Sequence, residues 1–139
     1  MTQIVLFDKT HARIESALAT RVPESDAVVW HADGLLSRNA SAVDVAQVWP
    51  EVAWLSGEAL GDAMLERYAQ SLEQMPTLKW VQTANAGLVH PVYQRLAQRG
   101  VKISKSSAQA IAIAEYVLAY ALSHGQGLQS RQIAQSKRL

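Results

Sequence analysis

The segment Ala84-Asn85-Ala86-Gly87-Leu88 is the stretch of this chain best suited to holding an anion. It carries no charged side chain, and Gly87 permits a positive φ and close approach of a ligand to the backbone. Successive N–H groups in such a loop can form a concave nest, and the N-terminus of a following helix adds partial positive charge. A small carboxylate bound by Ala86, Gly87 and Leu88 fits that chemistry; an ordinary turn that needs glycine is the alternative. Ser56, in Leu55-Ser56-Gly57-Glu58, could donate its hydroxyl to a substrate oxygen or could sit in a solvated turn. His90, beside the Gly87 loop, could touch a ligand or cap a helix.

Other chemistries find less support. Asp8-Lys9-Thr10-His11 follows the first apolar run with no glycine cluster, so neither a phosphate-cradling loop nor a dinucleotide fingerprint stands there. Gly125-Gln126-Gly127 follows a helical segment rather than a strand and reads as a helix stop or hinge. The four histidines (His11, His31, His90, His124) show no helical metal-ligand spacing, so no metal site is expected. With no cysteine, disulfides, thiolate zinc sites and cysteine nucleophiles are excluded. A net charge of +1 without a basic run leaves no electrostatic footprint for nucleic acid. A composition 49% hydrophobic and 18% charged is that of a globular chain. The run Ile4 to Phe7 is too short for a signal-peptide core, and a cytoplasmic setting is expected.

The elements that must position these residues follow from apolar periodicity. Gln3–Phe7, Ala27–His31, Val52–Ser56, Leu78–Thr83 and Val101–Ser104 read as five strands. Thr10 offers an N-cap for a helix through about Ala19, with Ile14, Ala17 and Leu18 on one face. A second helix is expected from Asp62 to Glu73, with Met64, Leu65, Tyr68 and Leu72 at helical spacing. Pro91 suits the first turn of a third, which Gly100 closes. Residues 35–50 are ambiguous, with a short helix near Ser41–Gln47 as one reading, and Trp30, Trp54 and Trp80 fall on strands as core candidates. This alternation predicts an α/β fold: a flavodoxin-like parallel five-stranded sheet, order 2-1-3-4-5, with helices on both faces. Residues 1–107 would form that substrate-binding domain. Ala108–Ser123 follows as a long, almost wholly apolar helix, shorter than the roughly 20 residues of a membrane span. A helix apolar all round must be covered all round, which points to a second domain or another copy of the chain. Glu115 within it would need a partner, a functional role or a narrow solvent stripe.

Leu78-Lys79-Trp80-Val81-Gln82, Asn85-Ala86-Gly87-Leu88, Gly100-Val101 and Ala112-Ile113-Ala114-Glu115-Tyr116-Val117-Leu118-Ala119 follow one another in order. Together they resemble the D-isomer-specific 2-hydroxyacid dehydrogenases, the family of glyoxylate/hydroxypyruvate reductases and phosphoglycerate dehydrogenases. The resemblance implies a two-domain oxidoreductase in which a flavodoxin-like substrate domain is interrupted by a Rossmann domain binding NAD or NADP. It implies that the loop matching Ala86-Gly87-Leu88 holds a 2-keto or 2-hydroxy carboxylate through backbone amides. The family often has an acidic residue two positions after the glycine, where this chain has Val89. The family's catalytic Arg, Glu and His and its glycine-rich motif are expected beyond residue 139, with residues 108–139 forming an interface helix and a connector toward the cofactor domain. No catalytic or cofactor-binding residue is then expected within this chain, which should not transfer hydride alone, and residues 108–123 should pair it as a homodimer. The alternative is a stand-alone binding or dimerisation module that kept the fold and lost the chemistry. A phosphorylation receiver would need an acceptor aspartate where Leu55-Ser56-Gly57 stands.

Overall fold

A computed structural model describes residues 2–59 and 61–137. The chain divides into two units, residues 1–106 and 107–139.

In the first unit, alternating apolar residues place strands side by side. Strands β1 (Thr2–Phe7), β2 (Ser25–Trp30), β3 (Leu36–Arg38), β4 (Ser41–Val43), β5 (Val52–Leu55), β6 (Trp80–Thr83) and β7 (Lys102–Ser104) form one sheet in the order β4-β3-β2-β1-β5-β6-β7. The five strands expected from the sequence are β2, β1, β5, β6 and β7. They pair in parallel in the expected order. The sheet nevertheless has seven strands, not five, and is mixed, because β3 and β4 add an antiparallel ribbon beside β2. Asn39 and Ala40 join that ribbon with φ of 51° and 61°, two left-handed residues as in the tight turns whose twist matches a hairpin. The suggested helix over Ser41–Gln47 is accordingly wrong. Ser41–Val43 is strand, and only Val45–Gln47 makes a single 3-10 turn, capped reciprocally by Asp44 and Gln47.

One sheet face carries the core. Val5, Phe7, Val28, Trp30, Ala53, Leu55 and Val81 are buried with Leu65, Tyr68 and Leu72 of α2 (Asp62–Glu73) and Val92, Tyr93 and Leu96 of α3 (Pro91–Gln98). Trp30 stacks on Tyr68 with ring centroids 4.8 Å apart, and the Tyr68 hydroxyl donates to the Val5 carbonyl at 3.1 Å. Burying each such ring contributes about 1.5–3 kcal/mol. The opposite face is covered over β1 and β2 by α1 (Asp8–Arg21). Ile4, Ala27, Val29, Val52 and Trp54 are half-buried there, and Trp80 is 41% exposed. Of the three strand tryptophans, only Trp30 is fully in the core.

Helix α1 begins directly after β1, three residues earlier than a Thr10 cap would place it. Phe7 is its N-cap without a side-chain bond, and Asp8 places a carboxylate in the first turn, where the helix dipole favours it. Thr10 is therefore no cap but an interior residue, fully buried. Ile14 and Leu18 are half-buried while Ala17 is exposed. Gly100 closes α3 at φ +82°, a conformation that favours glycine.

In the second unit, α4 (Ala110–Gly125) ends at Gly125, and Gly127, left-handed at φ 62°, is the N-cap of α5 (Leu128–Ser136). The glycine pair is thus a helix stop. Helix α4 leaves Ile111, Ile113, Tyr116, Val117, Leu118, Tyr120 and Leu122 exposed in the single chain, and Glu115 is exposed with them. Among the described residues, no helix is long and apolar enough to cross a membrane.

Candidate functional site

The loop from Ala84 to His90 lies at the carboxyl edge of the sheet, between β6 and α3. Its stem is pinned. The Ala84 amide donates to the Leu55 carbonyl at 3.0 Å, and the Ser106 amide donates to the Asn85 carbonyl at 3.1 Å. The Asn85 amide donates to Thr83 Oγ1 at 3.2 Å, and Asn85 Nδ2 donates to the Tyr93 hydroxyl at 2.7 Å. That hydroxyl also shares a 3.1 Å hydrogen bond with Thr83 Oγ1, deep in the protein. Thr83 and Tyr93 are buried, so this polar network is worth more than its counterpart in water.

Beyond Asn85 the loop is open. Ala86, Gly87, Leu88 and Val89 are exposed, Val89 to 96%. Among the described residues, no protein group accepts a hydrogen bond from the amides of Ala86, Gly87 or Leu88. Gly87 does not adopt a positive φ, and a Cβ built on it meets nothing within 4 Å. The positive φ that glycine permits at this position is not used. What glycine leaves here is empty space beside three amides that are not used by the sheet.

His90 closes the loop by capping α3. Its Nδ1 accepts from the Val92 amide at 3.3 Å, its ring meets Tyr93 edge-on at 6.5 Å, and Pro91 occupies the first helical position. Of the two roles the sequence left open for His90, capping is the one the geometry displays.

Ser56 takes a different direction. Its backbone ends β5 next to the Ala84 stem, but its side chain is buried, with Oγ 2.5 Å from Thr10 Oγ1 on α1. Thr10 Oγ1 also reaches Glu58 Oε2 at 3.2 Å, and Arg13 pairs with Glu58 at 2.6 Å. The carboxyl of Glu58 is held below its ordinary range, chiefly by its own backbone amide and the Ser56 hydroxyl, with smaller help from Thr10 and Arg13 against the cost of burial. Ser56 is thus a joint between β5 and α1, apart from the three open amides. The residues that sequence reasoning passed over are Thr83, Asn85 and Tyr93. Their signal was available: a tyrosine on the apolar stripe of α3 must find a partner for its hydroxyl.

The turn from β1 into α1 does not fit a dinucleotide. A pyrophosphate would need glycines and free amides at that helix N-terminus. Asp8 stands there instead, and its carboxylate already accepts from the Lys9 amide. No cofactor-dependent step is derived from these residues.

Fold and loop together define an α/β protein with a mostly parallel sheet and an open, exposed loop at the sheet's carboxyl edge. No family model matches the chain, and no curated protein matches it either.

Proposed function

We propose that this chain is the substrate-binding portion of an NAD(P)-dependent oxidoreductase acting on D-2-hydroxy acids and 2-keto acids. The observation that supports the reading is the set of amides at Ala86, Gly87 and Leu88 without a protein acceptor, in an exposed loop at the carboxyl end of the parallel strands. Ligands of open α/β sheets bind at that end. A small carboxylate accepts from several amides at once, and charge-assisted bonds of this kind are the stronger ones. The pinned stem from Asn85 to Tyr93 keeps those amides in place before a ligand arrives. Hydride transfer belongs to NAD or NADP held outside the described residues, together with the Arg, Glu and His that the family resemblance implies.

The test is a titration of the ¹⁵N-labelled chain with pyruvate or D-lactate. The amide resonances of Ala86, Gly87 and Leu88 are expected to shift most, while NADH leaves the spectrum and its own fluorescence unchanged. Shifts scattered elsewhere, or micromolar NADH binding, would count against the reading.

The exposed apolar surface of α4 supports a second part of this proposal, pairing of two chains through residues 108–123. Sedimentation should show a dimer that Val117→Lys converts to monomer; a monomeric wild-type chain would remove this part. Pairing without carboxylate binding would favour instead a dimerisation module that kept the fold and lost the chemistry.

A further inference from the structure

A second cluster of reactive side chains lies at the carboxyl ends of β1 and β2, built from residues other than the 84–90 loop. Ser37 Oγ is 2.7 Å from His31 Nε2, and His31 Nδ1 is 3.5 Å from Asp8 Oδ2. The order hydroxyl, imidazole, carboxylate is the one in which a base activates a serine while an acid orients the base. The fold explains how Asp8 meets His31 and Ser37, which are only six residues apart from each other. Asp8 opens α1 at the end of β1, and His31 directly follows β2. A turn closed by the Gly34 amide on the His31 carbonyl at 2.8 Å, with Gly34 at φ +92°, then folds the chain back. That return places Ser37 opposite Val29 in the antiparallel ribbon, and so beside the imidazole.

The cluster faces a cavity of about 460 Å³ whose walls are Asp8, His11 and Glu15 of α1, Val29 of β2, and Asn39 with Ala40 of the hairpin turn. Ser37 and His31 line the same space, and the side chains of His31 and Asp8 are only about one-third exposed. The two consecutive left-handed residues Asn39 and Ala40 hold a turn that costs Ala40 free energy.

The geometry points to an acyl-transfer site, with Ser37 as nucleophile, His31 as general base and Asp8 as the residue that orients it. With Nε2 accepting from the Ser37 hydroxyl, the ring proton sits on Nδ1 toward Asp8. Ser37 Oγ forms a bond to the carbonyl carbon of a small ester, and its proton passes to His31 Nε2. The bond from that carbon to the leaving oxygen breaks, and the alcohol departs with the proton from His31. Water then hydrolyses the acyl-serine, delivering a proton to His31 and regenerating the hydroxyl, so ester and water become acid and alcohol. Asp8 steadies the transient imidazolium, and its 3.5 Å contact shortens as charge develops. With Asp8 and Glu15 in the walls, the site takes a neutral acyl group in preference to an anionic one.

The test uses the full chain with p-nitrophenyl acetate, following nitrophenolate release, intact mass and the modified peptide. Acetylation is expected at Ser37 and at least about 100-fold slower at that peptide in His31→Ala, the range of a positioned general base. Added imidazole should restore part of that loss, an effect a purely structural histidine would not show. Ser37→Ala should remove the adduct with its circular dichroism unchanged. If that variant does not fold, Ser37→Cys keeps a nucleophile in place and should acylate in the same His31-dependent way. Acetyl groups found only on lysines or the N-terminus, at equal rates in wild type and His31→Ala, would overturn the proposal and leave the cluster a staple between hairpin and sheet.

Discussion

Replacing Gly87 separates the binding role of its loop from any folding role. The residue has neither a left-handed φ nor a neighbour within 4 Å of an added Cβ. Gly87→Ala therefore costs the fold nothing that the structure displays. It should stabilise the chain by about 0.4–1 kcal/mol, because alanine narrows the unfolded ensemble. For a unit of this size that is a rise in Tm of about 2–8 °C. Gly87→Val adds an isopropyl group, three carbons, beside the amides of Ala86, Gly87 and Leu88. If a carboxylate sits there, the bulk displaces it from at least one amide. A hydrogen bond to a charged group contributes about 1.5–3 kcal/mol, and the solvated position of the loop favours the lower end, a loss of affinity of about tenfold. Gly87→Ala, whose single methyl leaves most of the space open, should lose much less. Calorimetric titration with pyruvate, alongside thermal melts, reads both quantities. Unchanged affinity in a stably folded Gly87→Val would remove the loop from the site. A fall in Tm for Gly87→Ala would mean that the glycine is structural after all.

Three further outcomes follow from the same packing. Tyr93→Phe deletes the hydroxyl that receives Asn85 Nδ2, so amide exchange at 84–88 should accelerate and carboxylate affinity fall, while stability drops by about 1–2 kcal/mol in a denaturant melt. Tyr68→Phe leaves the ring stack intact but removes the bond to the Val5 carbonyl. A loss of about 1 kcal/mol is expected with no effect on ligand binding, measured by the same two assays. Glu58 has a carboxyl held below its ordinary value of 4.5, so its contribution to stability is present above that pH and lost as pH falls through the folded value. The stability gap between wild type and Glu58→Gln should therefore be full at pH 6 and close toward pH 3 in urea melts; a gap independent of pH would contradict the Ser56 and Thr10 contacts.

The parallel part of the fold was legible because its signals are local and repeated. Each of β2, β5 and β6 alternates in burial, β1 is a continuous apolar run, and α2 and α3 show an apolar stripe that the core then uses. The hairpin was not legible, for a definite reason. Its turn is Asn39-Ala40, and a left-handed alanine carries no sequence signal, whereas Asn-Gly would have announced the ribbon. Missing the ribbon also hid the Ser37–His31–Asp8 cluster, since only antiparallel pairing with β2 brings Ser37 to the imidazole.

Ser56 shows where a site residue can be misread even when its strand is read correctly. Strand alternation already contains the answer: Ala53 and Leu55 point into the core with α2 and α3, so the next residue points to the face that α1 covers. A buried hydroxyl on that side needs a partner from α1, and Thr10 supplies it at 2.5 Å. Had α1 started at Thr10, as a capping threonine suggests, that hydroxyl would have been spent on the helix's own amides. The start at Asp8 frees Thr10 for Ser56, and the same start places the Asp8 carboxylate beside His31. A three-residue difference in where a helix is capped thus decides the company of both Ser56 and His31. Ser56 turns its hydroxyl to Thr10 of α1, and His31 joins Ser37 and Asp8. The segment Ala86-Gly87-Leu88 itself carries no charged side chain, so in the proposed site recognition of a carboxylate falls to its backbone amides.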